Sequence, residues 1–151
     1  MKRYVDEKGS AVIDKVYSEA EAGRVSAAFS IWNIGEAIGV LDRYRMRGLT
    51  SEKDLQTALR SLTTESIKMI RLGALHVLPI TSGTLVDSWL LVLRHHIYEA
   101  DAIQIASSKE ANCDLFLSAD QRLIQTAQKE GIKALDVETE TEKALKKIIE
   151  T

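Results

Sequence analysis

The chain of 151 residues is long enough for one domain with a real core, at about 100–200 residues per domain. Its composition is 45% hydrophobic and 28% charged with one proline and eight glycines, which excludes a disordered, collagen-like or linker-rich polypeptide. A single cysteine, Cys113, excludes an internal disulfide framework and a Cys-based zinc site, and a net charge of −2 excludes a uniformly basic coat for nucleic acid.

The start, Met1-Lys2-Arg3-Tyr4-Val5-Asp6, has no apolar run like that of a signal peptide. The longest apolar stretches, such as residues 90–93, fall far short of a membrane span, so a cytoplasmic protein with no membrane partner is expected. After Gly9-Ser10, Val12, Val16 and Ala20 at i, i+4 and i+8 predict a helix over 11–22, stopped by Gly23. Residues 24–30 read as a short strand. A second helix begins near Ile31, with Ile34, Ile38 and Leu41 on one stripe, and ends at Gly48. Ser51, with Asp54 three residues later, is a capping start for a long third helix carrying Leu55, Leu59 and Leu62 and closed by Gly73. Residues 74–80 read as a strand whose end tolerates Pro79.

Thr81-Ser82 opens a helix through Trp89 and Leu93, and a further helix covers 99–112. Then come a strand over 115–118, a helix from about 119 to 130 with Gly131 as its C-cap, and a strand over 132–137. A last helix carries Leu145, Ile148 and Ile149. No repeat or low-complexity tract interrupts the pattern, so a single domain over 1–151 is expected. Strands alternating with helices predict an α/β fold class, a three-layer α/β/α sandwich around a central parallel sheet.

Three acids are predicted to share the carboxyl edge of that sheet, where open α/β sheets place their sites. Asp101 lies in the first turn of its helix and Asp120 just after a strand, 19 residues on, which is one descent and one ascent of the unit. Glu36 lies early in the helix after the first strand, and helical side chains lean toward the N-terminus. Two carboxylates about 4 Å apart repel by about 4 kcal/mol at an effective dielectric near 20. A hard divalent cation compensates such a cluster, because Mg²⁺ takes a few carboxylate oxygens and keeps its waters. Each acid also has a purely structural reading: Asp101 suits the helix dipole, Asp120 suits an N-cap, and Glu36 is a good helix former.

Charge is uneven along the chain. Between residues 40 and 75 seven basic residues stand against four acids, whereas from Ala134 onward five acids stand against three lysines. The basic stretch, with Arg43, Arg45 and Arg47, fits either an RNA or DNA backbone or a solvated helix face.

The run Ile97-Tyr98-Glu99-Ala100-Asp101-Ala102-Ile103-Gln104-Ile105-Ala106, followed by Leu115-Phe116-Leu117-Ser118-Ala119-Asp120-Gln121-Arg122-Leu123, resembles the C-terminal half of a PIN domain. Ser30-Ile31-Trp32-Asn33-Ile34-Gly35-Glu36 is similar to the second acidic motif of that family, and Gly131-Ile132-Lys133-Ala134-Leu135 to its closing strand. The resemblance implies a metal-dependent nuclease, many relatives being VapC-type toxins that cut RNA and are silenced by an antitoxin protein. It implies that Glu36, Asp101 and Asp120 are catalytic and hold Mg²⁺ or Mn²⁺, and that Ser118 steadies a ligand or a substrate phosphate. The ion would activate water for attack on the phosphodiester and neutralise charge on the leaving oxygen.

PIN domains usually open with a hydrophobic strand that ends in an aspartate and lies mid-sheet. The opening residues here resemble the segment that comes after that strand and the first short helix. The first strand and its acid are therefore expected to be missing, with Met1 an internal or misassigned start. Asp6, ending a short strand over 2–5, is the rival for that acid, although Lys2 and Arg3 make a poor central strand. Without a central strand the sheet is expected to have a gap or exposed edges, and the chain to pair with a second copy as a homodimer.

Of the remaining residues, His76 and Trp32 are expected in the core, His95-His96 at a helix end, Trp89 and Leu90 in the core or a dimer face, and Cys113 buried and inert. A PIN-like protein that binds RNA or a partner without cutting is the rival function. A receiver-like phosphoacceptor is disfavoured because the strand over 74–80 ends without aspartate.

Overall fold

The computed structural model describes residues 2, 3 and 7–150. In chain order the elements are α1 (Ser10–Glu21), β1 (Ala27–Ser30), α2 (Ile31–Met46), α3 (Glu52–Arg71), β2 (Leu75–Leu78) and α4 (Ser82–His95). They continue as α5 (Glu99–Glu110), β3 (Phe116–Ser118), α6 (Gln121–Lys129), β4 (Ala134–Asp136) and α7 (Thr141–Glu150). The helix starts are built as their sequences require. Ser51 Oγ accepts from Asp54 N–H (3.1 Å), and Thr81 Oγ1 accepts from Thr84 N–H (3.0 Å) while Thr84 Oγ1 accepts from Thr81 N–H (3.1 Å).

The core explains the layers. Along β3 and β4, Phe116 and Ala134 face a cluster with Ile105, Ala102, Leu123 and Ala127 of α5 and α6. The alternate residues Leu117 and Leu135 face Val12, Ala144 and Ile148 of α1 and α7. A period of two thus puts helices on both faces of these strands, giving an α/β/α sandwich. A third cluster joins Met69, Ala74, Leu75 and Ala20 against β1 and β2. The entry to α1 is pinned by Gly9, at φ +86°, where an added Cβ would lie 2.8 Å from Val137 Cγ2.

The strands pair in parallel, as expected, β1 with β2 and β3 with β4, in two two-stranded sheets among the described residues, which is the broken central sheet the sequence predicts. Among the described residues no strand joins β1 to β3. Between them lies a cavity of about 280 Å³ lined by Phe29, Leu117, Ile13, Ile34 and Leu62. Lys2 and Arg3 form a turn rather than the start of a strand, and Asp6 lies outside the described residues.

Two aromatic expectations also change. His76 is exposed on β2, and Trp32 is 42% exposed at the start of α2. Trp89, Leu90 and Leu93 are exposed on α4 and take no part in the core. Cys113 is half-buried. No helix among the described residues is long and apolar enough to cross a membrane.

Candidate active site

The chain turns directly from β1 into α2 at Ser30, a buried N-cap. Its N–H donates to Asn33 Oδ1 (3.0 Å), and its hydroxyl lies 3.2 Å from the same oxygen. This box fixes Asn33, whose Nδ2 donates to Glu36 Oε2 (3.2 Å) one turn on. Gln104 Nε2 of α5 donates to that oxygen from across the helix pair (3.1 Å). Glu36 is therefore held by two amides. Burial raises its pKa above the ordinary carboxylate value, the Asn33 bond opposes, and the charge of Asp101 adds to the rise.

Asp101 occupies the first turn of α5, where the dipole favours a carboxylate. Its pKa is nevertheless raised, first by burial and then by the charge of Asp120, with Arg122 opposing. Asp120 is the exposed N-cap of α6: its Oδ1 accepts from the N–H groups of Arg122 (2.8 Å) and Leu123 (3.0 Å). Ser118 Oγ accepts from Asp120 N–H (3.0 Å), so this hydroxyl shapes the turn that presents the acid.

Asp101 is thus coupled electrostatically to two acids, Glu36 and Asp120, in a partly desolvated place. Arg43 offsets the charge of Glu36 from its own helix, and Arg122 that of Asp101. Arg45 is engaged elsewhere, 2.9 Å from Asp42 and 3.5 Å from Glu52.

A family model for the PIN domain matches residues 5–129. The chain belongs to the PIN domain family. No curated protein and no solved structure is significantly similar to it. PIN domains are typically nucleases and generally use divalent metal ions, so the acids of this chain are the place to test for one.

The donor set is chemically suited, being all carboxylate oxygen, with burial first and a neighbouring acid next raising the pKa of Glu36 and of Asp101. Among the described residues, however, no group of three or more His, Cys, Asp or Glu side chains is arranged to hold a metal ion. Mg²⁺ needs only one or two carboxylates beside its waters and substrate phosphates, so Asp101 with either neighbour fits that chemistry without a closed cage.

Asn33 and Gln104 escaped the sequence reading, although both carried a signal. Each lies three residues from an acid on its own helix, Asn33 before Glu36 and Gln104 after Asp101, and so on the same face. A further acid at a strand end, Asp136, is structural. Although its burial opposes ionisation, bonds from Glu138 N–H (2.7 Å), the Thr139 hydroxyl (2.7 Å) and Gln121 outweigh that cost and lower its pKa. Those donors occupy the carboxylate that a metal would need.

Proposed function

We propose that this PIN domain is a Mg²⁺- or Mn²⁺-dependent endoribonuclease of the VapC toxin type, controlled by an antitoxin protein. The observation that carries the reading is the electrostatic coupling of half-buried Asp101 to half-buried Glu36 and to exposed Asp120, three acids at the starts of their helices. Glu36, Asp101 and Asp120 would hold the ion. When bound, it would supply a nucleophile at neutral pH and offset charge on the phosphodiester.

The chain's other residues have supporting parts. Asn33 and Gln104 orient Glu36, and Ser118 with the α6 N-terminus orients Asp120. Arg43 and Arg122, near the acids, suit backbone phosphates on either side of the scissile bond. Exposed Trp32, four residues before Glu36 on the same helix, suits an unpaired base stacked beside the site.

The test is cleavage of a panel of labelled RNAs with and without Mn²⁺ by the native chain, Asp101→Asn and Asp120→Asn. Mn²⁺-dependent cleavage by the native chain, lost by about 100-fold or more in both variants, supports the reading. Cleavage persisting in both removes these acids from the chemistry. The absence of a three-acid group among the described residues favours a second reading, a PIN-like protein that binds RNA without cutting it. Retained RNA binding with no cleavage in any divalent metal selects that alternative.

A further inference from the structure

A second cavity, of about 370 Å³, opens at the amino ends of β3 and β4, the opposite end from Asp120. Its apolar lining is aliphatic, from Leu115, Ala134 and Leu135. Lys143, Lys146 and Lys147 line it from α7, where spacings of three and four place them on one face. Lys133 joins them from the start of β4. All four lysines lie beyond residue 129, where the family match ends.

Charge selects an anion. Lys143 Nζ is 2.8 Å from Glu140 Oε1 and Lys146 Nζ is 3.7 Å from Glu150 Oε1, while Lys133 makes no ion pair among the described residues. Four lysines against two glutamates leave an excess of two positive charges. A phosphate monoester matches that excess at about −1.5 to −2 near pH 7, whereas a lone carboxylate brings half as much.

Size and shape limit the rest of the ligand. A helix about 10 Å across would place less than one turn in this volume. An added strand is blocked as well, because side chains occupy the outer edge of β4: Gln128 Nε2 donates to Ala134 O (2.9 Å), and Asp136 N–H donates to Glu140 Oε2 (3.2 Å). Small organic ligands fill cavities of about 300–1,000 Å³ and rest an apolar body on side chains such as these. With its Nε2 committed, Gln128 keeps Oε1 as an acceptor at the cavity, suited to an amino group.

We propose that this pocket binds a nucleoside 5′-monophosphate with an amino-bearing base, the phosphate among the lysines and the base on Leu115, Ala134 and Leu135. A free nucleotide and the 5′-phosphorylated end of a nucleic-acid strand present the same group. The pocket shares no residue with the candidate active site, and the proposal does not depend on nuclease activity.

The experiment is calorimetric titration of the full chain with AMP in EDTA, so that no divalent ion bridges phosphate to the acids. The comparison is Lys133→Gln/Lys146→Gln, at two exposed positions where replacement leaves the fold intact. One-to-one binding is expected, weakened about tenfold or more in the double variant and about tenfold or more when adenosine replaces AMP. UMP, which lacks the amino group, should bind about fivefold more weakly. No saturable binding, or equal affinity of the native chain and the double variant, overturns the proposal. Inorganic phosphate binding as tightly as AMP overturns it too, leaving a site for any anion. A 5′-phosphorylated tetra-adenylate bound at least about tenfold more weakly than AMP identifies the free nucleotide as the source. Equal or tighter binding that is lost without the 5′-phosphate identifies the end of a strand, and binding kept without it overturns the recognition of a phosphate monoester.

Discussion

Replacing Glu130 with glutamine removes a charge that gathers the ends of three helices, at little change in shape. The carboxyl is only 6% exposed at the end of α6, with Arg94 Nη1 at 2.8 Å and His95 Nε2 at 2.7 Å from α4, and Lys109 Nζ at 2.7 Å from α5. The His95 bond first and the Lys109 bond next hold its pKa at about 2 against an ordinary 4.5, with burial opposing. Taken without screening, that displacement stabilises the fold by about 3 kcal/mol at neutral pH. Arg94 and Lys109 are 60% and 46% exposed, so water screens the attraction and about 1–2 kcal/mol remains. For a chain of this size the melting temperature of Glu130→Gln should fall by about 3–6 °C at pH 7.

The pH dependence has a definite sign. Because the folded-state pKa is depressed, the stabilisation is complete above pH 4.5 and is lost as pH falls toward 2. Thermal melts of both proteins, followed by circular dichroism between pH 7 and pH 2, should show a gap that closes on acidification. Equal melting temperatures at pH 7, or a gap unchanged at pH 2, would refute the reasoning.

Asp120 should separate its capping role from its charge: Asp120→Ala loses the bonds to Arg122 and Leu123 N–H and about 1 kcal/mol by thermal melt, whereas Asp120→Asn keeps a good cap and most of the stability. Asp101→Asn should melt at the same or a higher temperature without metal, since a partly buried repulsion with Asp120 is relieved; a clear fall would contradict the electrostatics. Mn²⁺ should raise the melting temperature of the native chain more than that of Asp101→Asn, and equal shifts would place the ion elsewhere. Trp32→Ala should leave the melt nearly unchanged, the ring being 42% exposed, while weakening single-stranded RNA binding about tenfold; unchanged affinity would end its role as a stacking platform.

The order and type of the elements were legible because their signals are local. Gly23, Gly48, Gly73 and Gly131 all adopt positive φ at or just after helix ends, and Ser51 and Thr81 cap where their spacing to Asp54 and Thr84 requires. The strands came out shorter than read, β1 beginning at Ala27 rather than residue 24 and β4 spanning Ala134–Asp136 rather than 132–137, since strand ends are the least local of the signals. At the site, the position of each acid was readable from α/β alternation. The amides that hold Glu36 were not, because Gln104 meets it from a helix 68 residues on.

By itself, then, the sequence determined what depends on neighbours a few residues apart: the alternation of helix and strand, the caps, and the acids of α2, α5 and α6 at the starts of their helices. Only the tertiary structure decided which strand edges pair, which aromatic rings are covered, and which carboxylates keep their lone pairs free. The four strands fall into two sheets with an apolar cleft between them, Trp32 stands exposed beside Glu36, and Asp136 is consumed by its own turn. Each of these outcomes rests on contacts between segments distant in sequence, whose geometry no local period or spacing encodes.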